Sequence, residues 1–187
     1  MRKAVTSLSI VLLGLISTLN LYGGTLAGVT LPDTAQVGTR TLTLNGMGLR
    51  TKYAFKVYVA GLYVTQKSSD PAAILKADAP KRLVMHFVRD VSQSQLTDGF
   101  KEGFENNSPE AAKTMKADID HFMAALDSVK DGEEIVFTYL PDTGTSMAIA
   151  GKEKLTIAGP AFAQMLFSVW LGPKPPNASL KKGILGQ

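Results

Sequence analysis

The chain has 187 residues, 45% of them hydrophobic and 19% charged, which suits one compact domain or two small ones and excludes a disordered chain. It contains no Cys and only two His, so disulfides, thiolate chemistry and metal sites built from histidines alone are excluded. The net charge of +4 includes no clustered basic patch, so we expect no nucleic-acid partner.

Residues 1–27 have the pattern of a secretory signal peptide. Arg2 and Lys3 are basic, residues 4–22 are largely apolar, and TLA at 25–27 offers the small residues of a cleavage site. Cleavage would leave a domain of residues 28–187 with a net charge of +2, no membrane span and a periplasmic or secreted location. The alternative is an uncleaved anchor, because the apolar stretch could nearly span a bilayer.

Consecutive strands are predicted at residues 41–49 and 52–65, which are rich in β-branched and aromatic residues, and a further strand at 82–89. In the second strand both alternating sets of positions are mainly apolar, which is typical of a central strand covered on both faces. Gly46-Met47-Gly48 lacks the third glycine and the following helix of a dinucleotide-binding loop, so we interpret it as a tight turn or bulge.

A helical period follows, with Leu96, Phe100 and Phe104 on one stripe and Gly99 and Gly103 beside it. Glycines cost about 1 kcal/mol each in a helix, so we expect another element to pack closely against this face.

The C-terminal half begins with a second predicted helix at residue 107, where Asn-Ser-Pro-Glu provides a cap and a first-turn proline. Short strands at 133–140, 145–150 and 153–157 predict an antiparallel meander, and helices are expected from Gly159-Pro160 and from Asn177. Strands and helices without regular alternation predict an α+β fold on a large, mainly antiparallel sheet.

The candidate binding residues are polar side chains within apolar strands, chiefly Arg50 and Tyr58. An arginine in apolar surroundings needs an anion, because an unpaired buried charge is costly. Arg50 could therefore anchor a carboxylate at the mouth of an apolar pocket, or it could lie at a turn and reach water or a surface carboxylate. Eight extended residues span about 26 Å, so a joint site with Tyr58 requires a chain reversal after Arg50 or a bulge at 46–48.

Two long motifs resemble the chalcone isomerase-like family. They are NGMGLR at 45–50 with FKVYVAGLYV at 55–64, and FSVWLGPK at 167–174. The resemblance covers residues 28–186. It implies an open-faced α+β sandwich, in which helices cover a large antiparallel sheet and leave a cleft between the two layers.

The resemblance also implies two different uses of the cleft. In the plant isomerases the motif arginine and a hydroxyl on the next strand polarise the substrate, whereas in the fatty-acid-binding branch the arginine and a tyrosine hold a carboxylate. Arg50 matches the arginine of both versions, and Tyr58 matches the tyrosine of the second. Leu96 and Gly103 fall where the isomerase carries a polar pair on its helix, and Ser168 lies near its C-terminal hydroxyl position, so its polar clamp is incomplete here.

We therefore expect an exported, non-catalytic protein that binds a fatty acid or similar apolar carboxylate or lipid, without a catalytic residue, metal or cofactor. Arg50 and Tyr58 would hold the head group, and Leu96, Phe100 and Phe104 would line the apolar part. Two alternatives remain open. One is an isomerase or intramolecular lyase for an unsaturated carbonyl compound, with Arg50 as electrophile and Tyr58 as acid. The other is a periplasmic module that docks a partner peptide or helix.

Overall fold

A seven-stranded antiparallel sheet, with its strands side by side in chain order, forms the centre of the protein. The computed structural model describes residues 23–187. A small hairpin of β1 (Thr25–Leu26) and β2 (Val29–Thr30) precedes the sheet. The strands of the sheet are β3 (Thr34–Val37), β4 (Arg40–Lys52), β5 (Phe55–Val64), β6 (Lys81–Phe87), β7 (Glu134–Leu140), β8 (Gly144–Ile149) and β9 (Lys152–Ile157).

Six helices lie within residues 23–187, and several of them pack on one face of the sheet. The predicted α+β class, with a large antiparallel sheet covered by helices, is therefore confirmed. The helices are α1 (Pro71–Lys76), α2 (Gln93–Asn107), α3 (Pro109–Thr114), α4 (Lys116–Ala124), α5 (Pro160–Leu171) and α6 (Ala178–Ile184).

The hydrophobic core has two parts, one on each face of the sheet. On β5, Tyr58, Ala60, Leu62 and Val64 pack toward the helices, while the alternate positions belong to a smaller cluster on the opposite face that includes residues of the β1–β2 hairpin. Every residue of β5 from position 58 onward is buried. The prediction of a strand covered on both faces is confirmed for this part of β5.

Some predicted elements differ from the observed ones. The helix expected from residue 107 is divided into α3 and α4 at Met115. Helix α1 was not predicted, although Asp70 caps it by accepting hydrogen bonds from the backbone N–H groups of Ala72 and Ala73. The strands β1 to β3 also were not predicted, because elements of two to four residues are too short for periodicity to identify.

Gly46-Met47-Gly48 was interpreted as a tight turn or a bulge. The tight turn was wrong, because these residues lie inside β4, whereas a register shift of the kind that marks a bulge falls directly before them, between Leu44 and Gly46. The glycines are required for a different reason: a Cβ on Gly46 or Gly48 would overlap a backbone carbonyl oxygen of α6. Helix α6 therefore lies directly on the backbone of β4.

Candidate functional site

The hairpin between β4 and β5 places Arg50 directly opposite Tyr58. The chain reverses at residues 53–54, and a register shift beside Arg50 leaves Val57 as the extra residue of a bulge. Directly paired residues of antiparallel strands point to the same face of the sheet. The chain reversal that a joint site requires is therefore present.

Arg50 and Tyr58 both line a cleft of about 450 Å³ between this hairpin, strand β6 and helices α2 and α5. A volume of several hundred Å³ is typical of sites for small organic ligands. The inner wall is largely apolar and consists of Met85, Phe87, Leu96, Phe100, Val169 and Trp170.

The half-buried guanidinium of Arg50 is attached to the segment that joins α5 to α6. Its Nη1 donates to the carbonyl oxygens of Thr51 and Pro176, both at 2.7 Å, and to Oδ1 of Asn177 at 2.9 Å. These acceptors are all neutral, and within residues 23–187 Arg50 forms no salt bridge. The hydrogen bonds fix the orientation of the guanidinium, while its positive charge is left without an ion pair in that region.

The hydroxyl of Tyr58 lies at the end of a buried hydrogen bond, accepting from Nε1 of Trp170 at 3.0 Å. Burial raises the pKa of Tyr58 to about 12, against the smaller opposing effects of the Trp170 hydrogen bond and the charge of Arg50. Tyr58 is therefore a neutral donor at physiological pH. Within the described residues its own hydroxyl proton has no acceptor, so it can be donated to a ligand.

The rim of the cleft carries an excess of positive charge. Lys52, Arg89 and Lys174 join Arg50 among its lining residues, against the carboxylates of Asp90 and Glu102. Asp90 is engaged by Lys130 at 2.9 Å, and this hydrogen bond is the main cause of its lowered pKa. The remaining field favours an anionic ligand.

A family model described as chalcone isomerase-like matches residues 23–186. The chain belongs to the chalcone isomerase-like family. No curated protein matches its sequence. Among the solved structures that resemble this chalcone isomerase-like protein is the crystal structure of a fatty-acid binding protein of Arabidopsis thaliana. It has a TM-score of 0.64 at 13% sequence identity, with 84% of this chain and 92% of that chain covered.

The predicted apolar residues of α2 in this chalcone isomerase-like protein occupy different depths. Leu96 and Phe100 line the cleft, as does Gly103. Phe104 does not: it is buried in the aromatic core, where its ring lies 6.1 Å from that of Phe100 and 5.8 Å from that of Phe122. Phe104 therefore supports the wall of the cleft from behind.

The two α2 glycines differ in the same way. A Cβ on Gly103 would lie 2.9 Å from Cγ1 of Val169, so the expected close packing against the glycine face is found at this position. Gly99 has open space where a Cβ would be, and it lies at the edge of the cleft.

Ser168, which the sequence resemblance puts near a hydroxyl position of the isomerases, is buried and absent from the cleft lining. Its Oγ lies 2.6 Å from the carbonyl oxygen of Met165, to which it donates, and 2.8 Å from Oγ of Ser108. These partners give Ser168 a structural environment within α5 and the start of α3. It contributes no group to the cleft.

Trp170 is the main residue of the cleft that was not predicted from the sequence. It lies in an apolar helix, which by itself indicates only core packing, yet the indole reaches both the cleft and Tyr58. A buried tryptophan N–H usually has an acceptor, so a search for that acceptor could have connected α5 to the tyrosine on β5.

The described part of the chain contains no group of three or more His, Asp or Glu side chains that could hold a metal ion. No helix in residues 23–187 has both the length and the apolar character needed to cross a membrane.

Proposed function

We propose that this protein is an exported, non-catalytic carrier of a fatty acid or a similar apolar carboxylate. The observation that carries the proposal is the direct pairing of Arg50 and Tyr58 at the end of an apolar cleft. A carboxylate between them would accept from the remaining N–H groups of the guanidinium and from the tyrosine hydroxyl, while the hydrocarbon chain would lie against the apolar wall.

The charge distribution supports an anionic head group. Arg50 is held in position by neutral oxygen atoms, so binding a carboxylate would not require an existing ion pair to break. A charge-assisted hydrogen bond contributes about 1.5 to 3 kcal/mol, most of all where water is partly excluded. The similarity in fold to a protein that is itself described as fatty-acid binding supports the same ligand class.

The structure favours binding over isomerisation for two reasons. By the sequence resemblance, Leu96 and Gly103 occupy the helix positions of the polar pair in the isomerases, and neither residue can donate a hydrogen bond to a substrate oxygen through its side chain. The pKa of Tyr58, about 12, is also far above the range of an efficient general acid at neutral pH.

Calorimetric titration with fatty acids and their methyl esters tests the proposal. The ester keeps the hydrocarbon chain but lacks the charge, so we expect it to bind roughly ten-fold to a hundred-fold more weakly than the acid. Arg50→Ala should weaken binding of the acid by a similar factor. Arg50→Lys should restore only part of it, because an ammonium cannot form the two parallel hydrogen bonds of a guanidinium.

Asn177→Ala is the matched control, because it removes one acceptor of Arg50 while leaving the guanidinium in place. If Arg50→Ala acted only by releasing the α5–α6 segment, Asn177→Ala would weaken binding to a comparable degree and would affect acid and ester equally. Equal affinity for acid and ester in the parent protein would show that Arg50 does not bind the head group, and the proposal would then be wrong.

A further inference from the structure

The tip of the β4–β5 hairpin exposes two aromatic side chains beside the cleft. Tyr53 is 86% and Phe55 is 64% exposed, and they are the exposed large hydrophobic residues of the described chain. Both also line the cleft, so the tip and the ligand site form one continuous surface.

The backbone of the tip is unfavourable for the residues that occupy it. Tyr53 and Ala54 have φ angles of 50° and 66°, in the left-handed region that two-residue hairpin turns require and that Asn-Gly normally fills. A residue other than glycine is strained there, because its Cβ approaches the following carbonyl oxygen. A tyrosine that is 86% exposed at such a position contributes little to folding, so its side chain is best explained by a contact outside the protein.

Cations surround these aromatic rings. Nζ of Lys52 lies 5.8 Å from the ring centre of Tyr53, and the Arg89 guanidinium lies 5.4 Å from that of Phe55. Lys56 is exposed on the same hairpin. A small convex tip with aromatic rings and several cations fits the interface of an anionic bilayer, where amphipathic rings lie among head groups and basic residues meet phosphate.

We propose that the hairpin tip, defined as residues 52–56 with Arg89, docks on anionic phospholipid membranes. In this orientation the entrance of the cleft faces the bilayer. The proposal rests on the carrier function, for which it supplies the source of the ligand: an acyl chain could enter the cleft past Tyr53 and Phe55 without crossing water. A protein partner is a poorer fit, because a stable protein interface buries about 800 Å² on each side. That area is far larger than the surface that two exposed side chains can offer.

The absence of cysteine from the chain permits a site-specific test. An environment-sensitive fluorophore is attached at Ala54→Cys, on the tip, in the exported form of the protein, which lacks the predicted signal peptide. A control label is attached at Thr143→Cys, in the exposed turn between β7 and β8 at the opposite end of the sheet. Each protein is mixed with fatty-acid-free vesicles of phosphatidylcholine alone or with one part in four phosphatidylglycerol.

We expect a blue shift and an intensity increase for the label at 54, and not for the label at 143. Half-saturation should require at least about ten-fold more lipid without phosphatidylglycerol, since each basic residue near an anionic surface contributes about 1 kcal/mol. In the Ala54→Cys background, Lys56→Glu should weaken the response several-fold and Tyr53→Asn should largely abolish it. Tyr53→Asn also suits the left-handed turn better, so a lost response cannot be attributed to unfolding.

Three results would overturn the docking proposal. The first is an equal fluorescence change at positions 54 and 143, and the second is a change at 54 that is the same with and without phosphatidylglycerol. The third is a change at 54 when the protein concentration is raised without vesicles. The last would identify a second copy of the chain as the partner. Because the vesicles contain no fatty acid, the fluorescence result and the calorimetric result are independent. Failure of one measurement alone therefore shows which proposal is wrong.

Discussion

Trp170 and Tyr58, on helix α5 and strand β5, are joined by a buried hydrogen bond in which the indole Nε1 donates to the tyrosine oxygen at 3.0 Å. The bond connects the two layers of the sandwich and leaves the hydroxyl proton of Tyr58 directed away from the indole. It thus orients the donor that we assign to the ligand head group.

We expect Tyr58→Phe to destabilise the protein by about 1 to 3 kcal/mol, because the buried indole N–H of Trp170 would lose its acceptor. Trp170→Phe should cost more, since it also removes packed volume. A double-mutant cycle measured by urea unfolding should give a coupling of about 1 kcal/mol between the two residues. Additive effects would contradict the hydrogen bond.

The stability of the protein should decrease in alkaline solution. Burial raises the pKa of Tyr58, Tyr63 and Tyr139 from 10.0 to about 12. Between these values the unfolded chain has already lost phenol protons that the folded protein keeps, so the free energy of unfolding falls as pH rises from 10 toward 12. Burial lowers the pKa of Lys81 from 10.5 to about 8, which has the opposite effect below pH 10.5, so the comparison is made above that value. Urea unfolding at about pH 10.5 and about pH 11.5 measures the decrease, which should be smaller in Tyr58→Phe. A parent protein equally stable at both pH values would refute it.

The two glycines of α2 should respond oppositely to alanine. Gly99→Ala should stabilise the protein by about 1 kcal/mol, because a Cβ at 99 meets open space and alanine favours the helix. Gly103→Ala should destabilise it by about 1 to 3 kcal/mol, because the added methyl group would press on Val169. Thermal unfolding of both variants gives the comparison, and two shifts of the same sign would contradict the packing described for α2.

Chalcone isomerisation should be negligible. Removal of one well-placed hydrogen-bond donor from an active site lowers the rate by about 100-fold to 1000-fold, and Leu96 and Gly103 leave two such positions without a donor. Stopped-flow absorbance with a trihydroxylated chalcone measures the rate. Turnover well above the spontaneous reaction that disappears in Arg50→Ala would establish an enzyme instead of a carrier.

The exported protein should begin near Gly28. Ala27 and Gly28 form the turn between β1 and β2, where Gly28 is exposed. Cleavage there would remove residues 23–27 of the described structure, including strand β1 and the contact of Leu26 with the smaller core cluster. The predicted signal peptide otherwise falls mainly on residues 1–22, outside the described residues. Mass spectrometry of the protein from its producing host locates the N-terminus, and an intact Met1 in the membrane fraction would support an anchor.

More of the fold than of the candidate site could be predicted from the sequence. The continuous apolar run of β5 and the four-residue stripe of α2 reflect burial, which is a property of each element by itself. The pairing of Arg50 with Tyr58 depends on a turn at Tyr53-Ala54, which has none of the residues that usually mark such a turn.

The depth of Phe104 and the contact of Trp170 depend on how α2 and α5 pack together. Periodicity places a residue on a face of its helix but does not distinguish a position at a cleft from one behind it. The role of the β4 glycines could not be predicted for a similar reason: helix α6, which packs against them, lies far away in the sequence.

The contact between β4 and α6 also affects the order in which the protein can fold. The side chain of Asn45 donates to the carbonyl oxygen of Ile184 across 139 residues of sequence. A nascent chain therefore exposes the glycine-lined surface of β4 until α6 has been synthesised, and contacts of such long range slow folding. A chain that folds late stays extended for longer after synthesis. An extended polypeptide can pass through a narrow translocation pore, and it is also the form that chaperones and proteases bind.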